Sequence, residues 1–230
     1  MKNLLFSLSL GIILSFFGCT PTGKMELKVD HIMLAINDLD RGVAQFETMT
    51  GVQPIYGGVH PSGNTQNAIV PLGDKIYIEI LAPKADLDSI PDFFKDFQEL
   101  TPIGFAVAAS NMAGLDQTIQ ELQFHSDGIQ DGSRTTPDGT QLTWQVMLVN
   151  EPPLSTYPFF IHWSEDTKHP ATDGEVQCVL TSLELITPYE AELRQILEGS
   201  QSAIPLLELE QGSIQRLRVD VNSPKGQRSF

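Results

Sequence analysis

Two side chains that can bind a metal ion or exchange a proton, His31 and Glu79, lie in the strand-like segments 30–36 and 76–81. Side chains alternate between the two faces of a strand, so the isoleucines of each segment share one face. His31 and Glu79 take the opposite face. Imidazole and carboxylate are ligands that suit Zn, Fe, Mn, Ni or Co. The pair therefore predicts a divalent-metal site on the inner face of a sheet. The alternative is that His31 caps its strand by bonding Asp30 or the backbone and that Glu79 pairs with a neighbour.

Three polar residues between these segments are candidates for ligand contact or catalysis. His60 follows two glycines, whose backbone allows a close approach, and its imidazole could move a proton or touch a ligand. A hydrogen bond to the backbone of its own turn is the equal alternative. Thr65 and Asn67 could donate hydrogen bonds to a ligand or cap the turn.

The second half of the chain adds one candidate ligand and one gap. His162, in the strand-like segment 159–163, would take the place of Glu79 in a second unit and is a candidate third metal ligand. Gly104 stands where His31 would align, so a four-ligand set built from two units would be incomplete. Arg134 lies in the polar, loop-like stretch 132–139, over which a substrate anion could lie, although a loop arginine is normally just solvated.

Residues 30–81 resemble the glyoxalase-like branch of the vicinal-oxygen-chelate (glyoxalase/bleomycin resistance/dioxygenase) superfamily. The residues that carry the resemblance are Asp30-His31, Leu39-Asp40, Gly51-Val52, Gly57-Gly58-Val59-His60 and Tyr77-Ile78-Glu79. The resemblance implies an α+β fold in which repeated βαβββ modules form curved mixed sheets around a cleft. That cleft often holds a divalent metal on side chains of the first and last strands of a module. The superfamily includes lyases, dioxygenases, epimerases and metal-free binding proteins, so the fold names no single reaction.

The spacing of apolar segments predicts one glyoxalase-like domain over residues 28–220. We expect module one at 28–82, a connector at 83–101, module two at 102–163 and a shortened third unit at 176–220. Residues 221–230 are polar and predict a flexible tail. Which of the later units closes the cleft with module one is left open by the sequence.

The first residues predict export and a lipid anchor. Residues 1–19 combine Lys2 with an apolar run over 4–17, which is shorter than a membrane span and typical of a signal peptide. Cys19 follows a small residue, as in bacterial lipoproteins, and residues 20–27 would form a tether. A secretory peptide with a chance cysteine is the alternative. The prediction is an exported bacterial lipoprotein, membrane-anchored and facing the periplasm or the exterior.

The charge of the chain argues against nucleic acid as a partner. Its net charge is −15, and loss of residues 1–19 would remove one lysine and no acid, giving −16. Nucleic-acid binding needs a basic surface. Anionic lipid headgroups would also repel this chain, so membrane attachment would depend on acyl chains.

These observations predict a membrane-anchored protein that binds a small molecule in its cleft, with metal-dependent lyase or isomerase chemistry as its candidate activity. A metal-free protein that binds or sequesters a ligand is the main alternative, supported by Gly104. An interaction module with neither metal nor ligand is the third hypothesis. A dimer is compatible with such a fold.

Overall fold

Two copies of a βαβββ module lie side by side in one sheet. The computed structural model describes residues 25–230, so the predicted signal peptide and Cys19 lie outside the described residues. Module one consists of β1 (Leu27–Ala35), α1 (Leu39–Thr50), β2 (Ile55–Val59), β3 (Thr65–Gly73) and β4 (Ile76–Pro83). Module two consists of β5 (Thr101–Ala109), α2 (Met112–Glu121), β6 (His125–Ser126), β7 (Gln130–Thr135), β8 (Gln141–Met147), β9 (Val149–Glu151) and β10 (Phe159–Trp163).

The strand order repeats the same arrangement in both modules. The large sheet has the order β2-β3-β4-β1-β5-β10-β8-β7, and β6 pairs with β9 apart from it. In each module the first strand is parallel to the last, as β1 is to β4 and β5 is to β10. The two first strands meet antiparallel. The predicted α+β fold of repeated βαβββ modules is therefore confirmed, and module two is the unit that joins module one.

The isoleucine-rich faces of module one are buried. Ile32, Leu34, Ile78 and Ile80 have no exposed surface and belong to the main core. The helix that packs over them begins at the Asp38 cap, whose carboxylate accepts from the Arg41 amide, and ends at a left-handed glycine. Burial of each such side chain contributes about 1.5–3 kcal/mol. This packing fixes which side chains of β1 and β4 are left for the concave face.

The third unit forms a sheet of its own. It consists of β11 (Val179–Thr187), α3 (Glu190–Gly199), β12 (Leu207–Gln211), β13 (Arg216–Ser223) and β14 (Gly226–Ser229), in the order β12-β11-β13-β14. The prediction of a flexible tail over 221–230 is wrong, because the last strand pairs with β13 and Phe230 stacks on Phe46 at 5.4 Å between ring centroids. Polar composition misled here, since strands with one solvated face are half polar.

The segment between β10 and β11, residues 164–178, crosses the concave face and is called the strap below. Its 3-10 helix, Pro170–Thr172, packs against β3 and β4. Ala171 forms a small buried cluster with Ile69 and Tyr77. The strap therefore fills part of the space that the two modules enclose.

The two ends of the large sheet approach each other. Arg134, on the end strand β7, donates from Nη1 to the carbonyl of Gly57 on the other end strand, β2, at 2.8 Å. The curved sheet is thus nearly closed into a barrel. Among the helices of residues 25–230, none is long and apolar enough to cross a membrane.

Candidate functional site

The register of β1 and β4 brings His31 and Glu79 onto the concave face together. His31 is opposite Tyr77 and Met33 is opposite Glu79 in this parallel pair. The His31 Nε2 atom lies 3.9 Å from Oε2 of Glu79. Both residues are buried, with exposed fractions of 5% and 7%. The structure therefore places the two strongest sequence candidates side by side.

Two further predicted residues, His60 and Asn67, contact Glu79, and a third, Thr65, contacts His60. His60 Nε2 lies 3.1 Å from Glu79 Oε1 and donates to it, and Asn67 Nδ2 donates to the same oxygen. The other ring nitrogen of His60, Nδ1, is 2.8 Å from the hydroxyl of Thr65. We call His31, His60, Asn67 and Glu79 the Glu79 cluster; Thr65 reaches it through His60.

Glu79 is held as a carboxylate. Burial alone would raise the pKa of Glu79, but the hydrogen bond and charge of His60, the charge of His31 and the hydrogen bond from Asn67 lower it from 4.5 to about 2. A buried carboxylate with these donors remains ionised at neutral pH. Glu79 is therefore a fixed negative charge between two imidazoles.

Asp30 entered the sequence prediction only as a capping partner of His31, and the structure makes it a site residue with three donors. Its Oδ1 accepts from His31 Nδ1 at 2.7 Å, and its Oδ2 accepts from Trp163 Nε1 at 3.0 Å and from His169 Nε2 at 3.1 Å. Burial raises the pKa of Asp30, but the bonds and charges of the two histidines lower it to about 2. The register with β5 shifts between Val29 and His31, and this irregularity breaks the strand alternation on which the face assignments depend. Adjacency to His31 was the one available signal.

Asp30 sets which nitrogen of His31 is free. Because His31 donates from Nδ1 to Asp30, its Nε2 is left to face Glu79. Tyr77 stacks on the imidazole at 4.7 Å between centroids, and Phe159 meets it edge-on at 5.6 Å. Burial raises the pKa of Tyr77 well above its ordinary value, so its hydroxyl stays neutral. His31 is thus fixed in position by one carboxylate and two aromatic rings.

His162 does not join the Glu79 cluster. Its Nδ1 donates to the carbonyl of Ala109 at 2.8 Å, and strand alternation places it on the same face as the fully buried Phe160. The register of β1 with β5 skips Asp30 and Ile103, which are therefore equivalent residues of the two modules. Met33 then corresponds to Ala106, so the counterpart of Glu79, which pairs with Met33, is Phe159, which pairs with Ala106. The predicted equivalence of His162 and Glu79 is wrong, because His162 lies three residues beyond Phe159 and on the other face of the strand.

Gly104 has a packing role. A Cβ there would lie 2.3 Å from the carbonyl oxygen of Thr156, and its φ is +151°. Gly104 follows the skipped Ile103 as His31 follows the skipped Asp30, so Gly104 is the counterpart of His31. Module two therefore has glycine and phenylalanine at the two positions where module one has His31 and Glu79.

The residues present do not fit the predicted divalent metal (Zn, Fe, Mn, Ni or Co). Within residues 25–230, no group of three or more His, Cys, Asp or Glu side chains is arranged to hold a metal ion. Both His60 nitrogens and one Glu79 oxygen are already committed to hydrogen bonds. Glycine and phenylalanine occupy the two positions that would complete the set in module two. The cluster is instead a set of paired acids and bases.

Comparison with known proteins agrees with this architecture. The glyoxalase-like domain family matches residues 29–200, and no curated protein matches the chain. A hypothetical protein from Staphylococcus aureus superposes with a TM-score of 0.60 at 16% identity, over 83% of this chain and 88% of that one. Methylmalonyl-CoA epimerases from Streptomyces coelicolor and Mycobacterium tuberculosis give TM-scores of 0.42 at 15% and 13% identity, over 59% of this chain and 95% and 86% of theirs. At 16% identity the Staphylococcus aureus structure shows the fold alone.

Proposed function

The chain belongs to the glyoxalase-like domain family, and from this premise we propose that it binds a small polar molecule at the Glu79 cluster and transfers a proton on it. The observation that carries the proposal is the pairing of two imidazoles with two ionised carboxylates in one buried site: His31 with Asp30 and His60 with Glu79. A carboxylate that orients an imidazole and stabilises its cationic form is a recurrent arrangement in proton-transfer enzymes.

The reaction class that suits these groups is isomerase or lyase chemistry next to a carbonyl group. The His60 side chain is 24% exposed and is the member of the cluster that solvent reaches. Its Nε2–H remains bonded to Glu79, so Nδ1 would take the proton from the carbon beside the carbonyl once the Thr65 hydroxyl turns away from it, leaving the electron pair as an enolate. The proton then returns to another carbon position, or a leaving group departs with the electron pair. Glu79 would stabilise the imidazolium formed in between.

A ligand-binding protein without turnover is the second candidate. It is favoured by the aromatic surroundings, where Trp144 and Trp163 lie 5.5 Å apart between centroids and Tyr77 and Phe159 flank His31. Aromatic side chains of this kind bind flat or apolar groups without catalysing a reaction. Chelator-resistant thermal stabilisation by a ligand that is not converted would favour this candidate.

Deuterium exchange tests the catalytic proposal. Wild-type protein is incubated in D2O with small 2-oxo acids, hydroxyaldehydes and acyl thioesters, and NMR follows the C–H signal beside each carbonyl. We expect exchange of at least one compound, reduced about 100-fold or more in Glu79→Gln and His60→Gln. His125→Gln is the matched control, because the His125 side chain is 72% exposed and remote in the fold. Equal exchange in all four proteins would contradict the proposal.

We also propose that the protein is exported and anchored through acyl chains on Cys19. The support is in the sequence: the apolar run over 4–17, the cysteine that follows it and the acidity of the remaining chain. Cys19→Ser should move the protein to the soluble fraction or leave the unprocessed precursor. Fractionation of that variant with membranes at the mature length would show that Cys19 is not the anchor.

A further inference from the structure

Arg134 is a buried cation with unused hydrogen-bond donors. Its residue is 9% exposed, and within residues 25–230 its one hydrogen bond is the donation from Nη1 to Gly57. A guanidinium has five N–H donors in a planar fork. Of the two interpretations of Arg134 from the sequence, the solvated loop residue is wrong, because Arg134 lies on β7 and is buried.

No carboxylate neutralises this charge. Among the described residues, no acid lies within 4.0 Å of Arg134, and residues 1–24 contain no Asp or Glu. Burial of an unpaired charge costs several kcal/mol, so buried guanidinium groups normally face an anion. An unpaired buried arginine is particularly notable in a chain of net charge −15.

A cavity of about 300 Å³ lies against this side chain, which is the size of a small ligand pocket. Its apolar walls include Ile69, Leu142 and Pro170 of the strap. Two acids also line it, but each has partners of its own. Asp173 is paired with Lys168, and Asp138 accepts from the amide of Thr140.

Electrostatics place the guanidinium near the interior of the barrel. Its positive charge lowers the pKa of the Tyr77 hydroxyl against the larger effects of burial and of the two carboxylates. Ile69 lines the cavity and also packs in one cluster with Tyr77. Ile69 and Tyr77, which stacks on His31, therefore connect the wall of the cavity with the Glu79 cluster.

We propose that this cavity binds a small organic anion, whose carboxylate pairs with Arg134 and whose apolar body lies against Ile69, Leu142 and Pro170. A guanidinium matches a carboxylate through two parallel hydrogen bonds. The proposal does not depend on proton transfer at the Glu79 cluster, because the recognition rests on a different residue and a different cavity.

Two matched probe pairs test it: benzoate against benzamide, and acetate against acetamide, each titrated into the full chain and followed by NMR of the arginine Nε–H groups. The members of a pair have almost the same shape and differ in charge. We expect benzoate to bind at least about tenfold more tightly than benzamide, with a shift of the Arg134 Nε–H signal. Acetate should show the same preference more weakly, since it leaves the apolar walls uncovered.

Variants separate recognition from folding. Arg134→Gln should abolish the preference for benzoate, and Arg134→Lys should keep part of it, because the charge remains and the fork is lost. Arg216→Gln removes an exposed arginine and should change nothing. If Arg134→Gln does not fold, the wild-type titration decides alone. Equal binding of benzoate and benzamide, or an Arg134 signal that does not move, would overturn the proposal.

Discussion

Glu79 is the residue on which the polar cluster depends. One of its oxygens accepts from His60 and Asn67, and the other faces His31 across 3.9 Å. The polar atoms nearest to its carboxylate are hydrogen-bond donors or histidine nitrogens, which favour a negative charge there. Removal of that charge therefore leaves buried donors without acceptors, which costs more than the loss of one hydrogen bond.

Stability of the wild type relative to Glu79→Gln should depend on pH in the acid range. The folded pKa of Glu79 is about 2, below its ordinary value of 4.5, so the ionised group stabilises the fold above pH 4.5. That stabilisation is lost as the pH falls through 2. We expect a difference in unfolding free energy of about 3 kcal/mol at pH 7 that shrinks toward zero near pH 2. Urea unfolding at several pH values measures it; a pH-independent difference would contradict the assignment.

Asp30→Asn tests the residue that fixes His31. Asp30 accepts from His31 with one oxygen and from Trp163 and His169 with the other. The asparagine amide has one acceptor oxygen and no charge, so buried donors on one side lose their acceptor. We expect a loss of about 3–5 kcal/mol in unfolding free energy. The proton of His31, observed by NMR, should no longer be confined to Nδ1. Asp88→Asn, at an exposed position, is the control and should be neutral.

Strand alternation was enough to predict part of the site. It placed His31 and Glu79 on one face, and the glycine turn brought His60 to them. It placed Asp30 no nearer the site than a capping partner of His31, because a shift in strand register changes the alternation there. It also matched His162 with Glu79, three residues away from Phe159, its true counterpart.

At the scale of elements, the strap is the feature that the sequence did not predict. Residues 164–178 have neither a helical nor a strand period, so nothing in them predicts packing inside a barrel. In the structure His169 is 8% exposed, and it reaches Asp30 while meeting Tyr77 and Trp163 edge-on. The bond to Asp30 therefore ties the strap to the same carboxylate that orients His31.

His169→Ala should release the strap while the rest of the fold remains. The variant loses a bond to a charged acceptor, and such bonds contribute about 1.5–3 kcal/mol. We expect cleavage by trypsin after the exposed Lys168 to accelerate about tenfold, with faster amide exchange over residues 164–178. His125→Ala is the matched control on an exposed histidine. Unchanged cleavage would show that His169 does not hold the strap.

At the scale of the whole molecule, the two modules share an architecture and divide the roles. Module one carries the acids and bases, whereas module two presents Gly104 and Phe159 at the corresponding positions and contributes Arg134. The sequence predicted the repeat because each module has its own strand and helix periods. It predicted the gap at Gly104 but put His162 in the place of Phe159, since the alignment of the last strands depends on a register set by packing between strands.

Residues 224–230 complete the last turn of α1. That turn has no basic residue of its own, and Lys225 and Arg228 donate to the carbonyls of Thr48 and Met49 at 2.8 and 2.6 Å. Donors at the carboxyl end of a helix satisfy its free carbonyl groups and interact well with its dipole. The stacking of Phe230 on Phe46 adds an apolar contact from the same segment.

Deletion of residues 224–230 should therefore lower the unfolding free energy of the whole protein. The deletion removes β14, uncovers β13 and leaves the end of α1 without donors, for an expected loss of about 3–5 kcal/mol in unfolding free energy. Phe230→Ala should account for about 2 kcal/mol of it, since the ring is partly buried. Gln227→Ala, exposed on the same strand, serves as the control. Urea midpoints compare the four proteins, and a deletion variant as stable as the wild type would mean that this segment does not contribute to the fold.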